Sequence, residues 1–120
     1  MDRSGQRQVT AAAPRRGDIW WVPAGSKLRP VVVVSADSMN RRLTKVLVIP
    51  GTTNVRGWPD EVLLDPGTLH EPTAFCCREV TPLAITDLVS RAGSVSNPWL
   101  VSLCRTLARV FDCNEDTARS

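Results

Sequence analysis

One histidine, His70, is all that the 120 residues provide, so a Ser-His-Asp or Cys-His catalytic arrangement would have to run through it. It sits in Gly67-Thr68-Leu69-His70-Glu71-Pro72, a loop by composition, where a solvent-facing side chain is expected. The four cysteines, Cys76, Cys77, Cys104 and Cys113, form no C-x-x-C pair and have no second histidine beside them. That excludes the usual zinc sets. Cys76 and Cys77 on a strand would face opposite ways and not bond to each other. Buried free thiols in a reducing compartment are the expected state. No apolar run approaches the roughly 20 residues of a membrane-spanning helix, and the longest, around Val31 to Val34, is strand-sized. The Arg-bearing N-terminus has no apolar stretch behind it, so no signal peptide is read there and a cytoplasmic chain is expected.

What is present suits one small domain. At 13.2 kDa, with 42% apolar and 22% charged residues, the chain has room for one hydrophobic core. The net charge of +3 is unevenly spread. Residues 1–60 hold ten Lys and Arg against four Asp and Glu (+6), and residues 61–120 hold five against eight (−3). A basic half suits a polyanion-facing surface, although an uneven solvated surface has the same composition.

Residues 1–14 lack apolar periodicity and read as a flexible lead-in, and the polar residues 114–120 as a tail. Order begins at the turn Arg16-Gly17-Asp18, followed by a strand over Ile19-Trp20-Trp21-Val22. After a short loop from Pro23 to Lys27, Arg29-Pro30 opens a strand of four valines, buried on both faces. Ser35 or Asp37 is placed to cap one helical turn. Val46 to Ile49 is a third strand, and Glu61 to Leu64 a fourth. Thr73 to Val80 has strand composition, and Val89 to Val95 contains a short strand. The one long helical pattern comes last: Asn97 to cap, Pro98 at the first position, and an apolar stripe of Trp99, Leu100, Leu103, Leu107, Val110 and Phe111, with Arg105 and Arg109 outward. Short strands at this spacing with a closing helix predict a mainly β domain built on a small, strongly bent sheet or barrel.

Three segments taken in order say more. They are Arg16-Gly17-Asp18-Ile19-Trp20, then Arg29-Pro30-Val31-Val32-Val33-Val34-Ser35, then Val48-Ile49-Pro50-Gly51-Thr52-Thr53 with Gly57-Trp58-Pro59-Asp60-Glu61-Val62. This succession resembles the MazF/PemK (Kid) family of toxin endoribonucleases over residues 15–113. The resemblance implies an SH3-like barrel of twisted antiparallel strands with a C-terminal helix, assembled as a homodimer. It implies cleavage of single-stranded RNA without a metal or other cofactor, the 2′-hydroxyl attacking the adjacent phosphate to leave 2′,3′-cyclic phosphate and 5′-hydroxyl ends. A cognate antitoxin with an acidic segment, and no membrane, is the implied partnership.

Arg29 matches the family's catalytic arginine. A guanidinium is a poor proton acceptor but is well suited to hold phosphate oxygens and the charge of a pentacoordinate transition state. Thr52 matches the catalytic threonine; its hydroxyl is equally suited to bonding its own turn. Lys27, Arg56 and Arg78 as cations for phosphate, Thr53 beside Thr52, and Trp58 complete the expected RNA-binding set, with Trp58 read either as a base-stacking face or as a packing residue.

Two positions depart from the family pattern. Pro23 to Leu28 is a short connection in which Ala24 and Ser26 offer no carboxylate. Cys77 and Arg78 stand where an acidic residue and Gln are common. The general base is therefore unassigned, with a Cys77 thiolate and a plain packing cysteine as the two readings of that position. Two other functions fit the same fold: a gyrase-directed toxin of the CcdB kind acting by protein binding, and a non-catalytic RNA-binding relative.

Overall fold

The computed structural model describes residues 13–112, so Cys113, the C-terminal tail and the lead-in up to residue 12 lie outside it. Packing starts at once, with Pro14 already buried. Seven strands follow in order: β1 (Asp18–Ala24), β2 (Lys27–Val33), β3 (Lys45–Thr52), β4 (Glu61–Leu63), β5 (Ala74–Cys76), β6 (Thr81–Ala84) and β7 (Ser90–Ser94). A one-turn helix α1 (Asp37–Asn40) links β2 to β3, and α2 (Asn97–Phe111) closes the chain. The pairings are antiparallel throughout, in the order β4-β5-β3-β2-β1-β7, with β6 on the first half of β3. The sheet is strongly bent but not closed.

β1 and β2 form a tight hairpin. Ala24 pairs with Lys27, so the connection is only Gly25-Ser26, shorter than the expected loop. Gly25 has φ +67°, which a two-residue hairpin turn opening on glycine requires. Pro23 extends beyond the last β1–β7 pair, Trp21 with Ser90, where its missing N–H breaks no ladder between those strands.

The valine strand is buried on both faces, as its composition implies. Val32 belongs with Ile19, Ile49, Phe75, Trp99 and Leu103 beneath α2. Val31 and Val33 belong with Val22, Val46 and Val48 on the opposite face, where Trp20, Leu83, Ile85 and Leu88 pack against them. The period of two along each strand sorts the residues between these cores. Trp20 and Trp21 are both partly exposed.

Three expectations need correction, and one strand has no counterpart among them. The Thr73–Val80 strand ends at Cys76, and residues 77–79 form a 3₁₀ turn instead. β6 lacks a clear sequence signal because Thr81-Pro82-Leu83-Ala84 is short and has a proline on a sheet edge. Ser96, not Asn97, caps α2, its Oγ accepting from Trp99 N–H at 3.3 Å. Ser35 does not cap α1; its buried hydroxyl instead accepts from Leu47 N–H at 3.1 Å and donates to Asn40. The helix stripe otherwise holds, with Trp99 and Leu103 buried, but Phe111 at its last turn is exposed.

Candidate RNA-cleaving site

β2 and β3 run side by side with Val31 opposite Pro50. Extending that antiparallel register by two residues sets Arg29 opposite Thr52. Both side chains leave the same face of the sheet, since Arg29 alternates in phase with Val31 and Val33, and Thr52 with Val46 and Val48. Two segments more than twenty residues apart thus deliver a guanidinium and a hydroxyl to one edge. Arg29 Nε donates to the Gly51 carbonyl at 2.7 Å. This bond fixes the guanidinium plane and leaves the Nη groups for a ligand, with the side chain 42% exposed.

Gly51 lies on the opposite face, pointing at the core. A Cβ there would stand 2.9 Å from both Phe75 Cε1 and Thr73 Cγ2, too close for any real contact. Gly51→Ala is therefore expected to force Phe75 aside, to lower stability by about 1–3 kcal/mol, and to shift the carbonyl that anchors Arg29. Thermal unfolding followed by circular dichroism checks the first effect; an unchanged midpoint would contradict it.

Thr52 serves its own turn and remains able to serve a ligand. Its Oγ1 accepts from Asn54 N–H at 3.0 Å, as Thr commonly does in turns. That bond uses a lone pair, so the hydroxyl hydrogen can still be donated. Thr53 is exposed beside it, and Lys27 is exposed on β2, two residues before Arg29 on the same face.

Arg56, Trp58 and Arg78 form a second cluster. Trp58 is 43% exposed, which makes it a surface ring rather than a core residue. The Arg56 guanidinium carbon lies 4.6 Å from its centroid and that of Arg78 5.4 Å, within cation–π range. Two carboxylates to which the sequence assigns no site role organise this cluster. Glu61, with its side chain only 3% exposed, lies 3.6 Å from Arg56 Nη1. Its Oε1 accepts from Arg56 N–H at 3.0 Å and Gly57 N–H at 2.9 Å, closing the loop that carries Trp58. Asp60 forms an ion pair with Arg78 and accepts from the Cys76 thiol at 3.6 Å. The Asp60 hydrogen bond, helped by its charge, raises the pKa of Arg78, which is always a cation.

The 77–79 turn connects the clusters. With three residues per turn, a 3₁₀ segment spreads consecutive side chains about 120° apart, whereas a strand would alternate them between two faces. Cys77 turns inward and is fully buried. Arg78 reaches Asp60 and Trp58, while Glu79 Oε1 lies 3.8 Å from Arg29 Nη2. Burial, with lesser help from Cys76 and Asp60, pushes the Cys77 thiol up to about 12. It stays neutral at physiological pH, so the thiolate reading fails and Cys77 is a core residue. The expected strand placement fails with it, because β5 ends at Cys76 and Cys77 opens the 3₁₀ turn. The described cysteines are free. His70 is exposed in its loop, and among the described residues no three or more His, Cys, Asp or Glu side chains group as metal ligands.

The family model described as PemK-like, MazF-like toxin of type II toxin-antitoxin system matches residues 15–111. The chain is 37% identical over 106 residues to the probable endoribonuclease MazF5 of Mycobacterium tuberculosis, a match covering 86% of this chain and 97% of that one. It is 30% identical over 87 residues to endoribonuclease MazF3 of the same species, covering 72% and 84%. Among solved structures, the M. tuberculosis toxin MazF-mt6 superposes with a TM-score of 0.73 at 28% identity, over 81% of this chain and 98% of that one. An endoribonuclease in complex with its cognate antitoxin, from a mycobacterial species, superposes at 0.78 with 23% identity, over 85% and 98%. That last likeness bears on the fold alone.

Proposed function

Because the chain belongs to the PemK-like, MazF-like toxin family of type II toxin–antitoxin systems, we propose that it is an endoribonuclease toxin that cuts single-stranded RNA. The observation that carries this reading is the meeting of Arg29 and Thr52 at one sheet edge, with the guanidinium held by the Gly51 carbonyl. Arg29 grips the scissile phosphate and balances the negative charge that grows as the 2′-oxygen attacks phosphorus. Thr52 donates a neutral hydrogen bond to a phosphate oxygen. Lys27 and Thr53 contact the backbone beside them. Trp58, with Arg56 and Arg78, offers a neighbouring base an aromatic face flanked by cations.

Products are a 2′,3′-cyclic phosphate and a 5′-hydroxyl, formed without a metal because Arg29 supplies the positive charge the transition state calls for. The toxin works in the cytoplasm as a homodimer, and its antitoxin presents an acidic segment to the same basic edge. No described helix is long and apolar enough to cross a membrane.

The test is end-mapping of a mixed RNA pool incubated with the purified protein in EDTA. Cuts ending in 2′,3′-cyclic phosphate are expected. Strict magnesium dependence, or 3′-hydroxyl ends, would overturn the mechanism.

A further inference from the structure

The reaction needs a group to take the proton of the 2′-hydroxyl, and the β1–β2 connection carries no carboxylate for it. Arg29 cannot, since it does not give up its own proton in proteins. Cys77 is buried with its thiol pushed up to about 12. Glu61 is enclosed, its Oε1 occupied by two backbone N–H groups. Asp60 is tied to Arg78 and to the Cys76 thiol.

Glu79 differs from all of these. Its side chain is 54% exposed, and its Oε1 stands 3.8 Å from Arg29 Nη2. That separation is a loose ion pair, too long for a hydrogen bond, so the oxygen keeps lone pairs to accept a proton. The spacing also suits the substrate. In RNA the 2′-oxygen approaches the adjacent phosphorus to about 3–3.5 Å before attack. A guanidinium on the phosphate oxygens and a carboxylate on the 2′-hydroxyl must therefore stand side by side, as these two groups do. Arg29 from β2 faces Glu79, the Arg78 next to it turns away to Asp60, and Arg109 on α2 acts on the buried side of the same turn, at Cys77.

We propose that Glu79 is the general base of the cleavage, an assignment that rests on the ribonuclease reading above. The 2′-O–H proton passes to a Glu79 carboxylate oxygen, and the freed electron pair forms the O2′–P bond. The P–O5′ bond breaks on the far side, and the departing 5′-oxygen takes a proton from water. The resulting hydroxide removes the proton from Glu79, restoring the carboxylate.

The test compares the wild type with Glu79→Gln and Glu79→Ala on an RNA oligonucleotide carrying one mapped cut site. A copy with a 2′-deoxy nucleotide at that site measures binding without cleavage, and thermal unfolding confirms that each variant is folded. The kcat of both variants is expected to fall about 100-fold or more, the usual size of a general-base effect. Affinity for the deoxy copy should stay the same or tighten, because a negative charge leaves the phosphate site. Added formate should restore part of the Glu79→Ala rate, while chloride at equal ionic strength should not. A kcat within a few-fold of wild type, a matching loss of affinity, or no recovery in formate would each overturn the assignment. If the wild type cuts, Arg29→Ala does not and the Glu79 variants cut normally, the ribonuclease reading stands and the base assignment alone falls. If the wild type cuts no RNA, both fall.

Discussion

Arg29→Ala is expected to slow RNA cleavage by about 10²–10³-fold, the scale on which loss of a transition-state donor acts, while the domain stays folded. The side chain is 42% exposed, so removing it opens no core cavity, and water can replace its bond to the Gly51 carbonyl. Arg29→Lys is expected to recover little. The wild-type guanidinium donates through Nε to the Gly51 carbonyl and still has Nη donors for phosphate. An ammonium is a single point of charge and cannot hold both in that fork geometry. Cleavage of a fluorogenic RNA by the two variants, with circular dichroism as the folding control, decides the matter. Wild-type rates for Arg29→Ala would remove this edge of the sheet from the chemistry.

Trp99→Ala should give the largest loss of stability, about 3–5 kcal/mol for truncating a large buried aromatic. Trp99 joins three parts of the domain. It stands in the first turn of α2, its indole N–H donates to the Leu63 carbonyl of β4 at 2.8 Å, and its ring meets Phe75 of β5 edge-on, centroids 5.7 Å apart. Truncation leaves a cavity beneath the helix and detaches β4, an edge strand of three residues, from its support on α2. The thermal midpoint should drop by tens of degrees, at roughly 4–8 °C per kcal/mol for a domain of this size. Trp99→Phe keeps most of the apolar contact and loses the hydrogen bond, so it should fall between the two. Protein concentration must be held constant, because dimerisation would add to the midpoint. A shift of only a few degrees for Trp99→Ala would mean that the helix is held elsewhere.

Features governed by neighbours along the chain were legible from the residues. The two-sided burial of Val31 to Val33 follows from an unbroken apolar run, and α2 from an apolar stripe at helical spacing with Pro98 near its start. The Arg29–Thr52 pairing was legible only through family resemblance, and the sheet register then accounts for it. The sequence does not decide between stacking and packing for Trp58, because its surroundings depend on Glu61 and Asp60 closing the loop from the β4 side.

The sequence by itself determined that this is one small, mostly β domain, where its first three strands and last helix lie, and that a basic strand edge is its functional candidate. Strand alternation, turn-forming residues and helical periodicity are local properties, readable within a few residues. Only the tertiary structure decided what surrounds Arg29. A run of strand-like residues from Thr73 to Val80 carries no local signal to stop at Cys76. The stop comes from afar: Cys77 N–H donates to the Asp60 carbonyl at 2.8 Å, and the Cys77 side chain sinks into the core beneath α2. Once that residue turns inward, 3₁₀ geometry sends Arg78 to Trp58 and Glu79 to Arg29. A carboxylate fifty residues away along the chain thus reaches Arg29 at the sheet edge because the burial of one cysteine bends the backbone beside it.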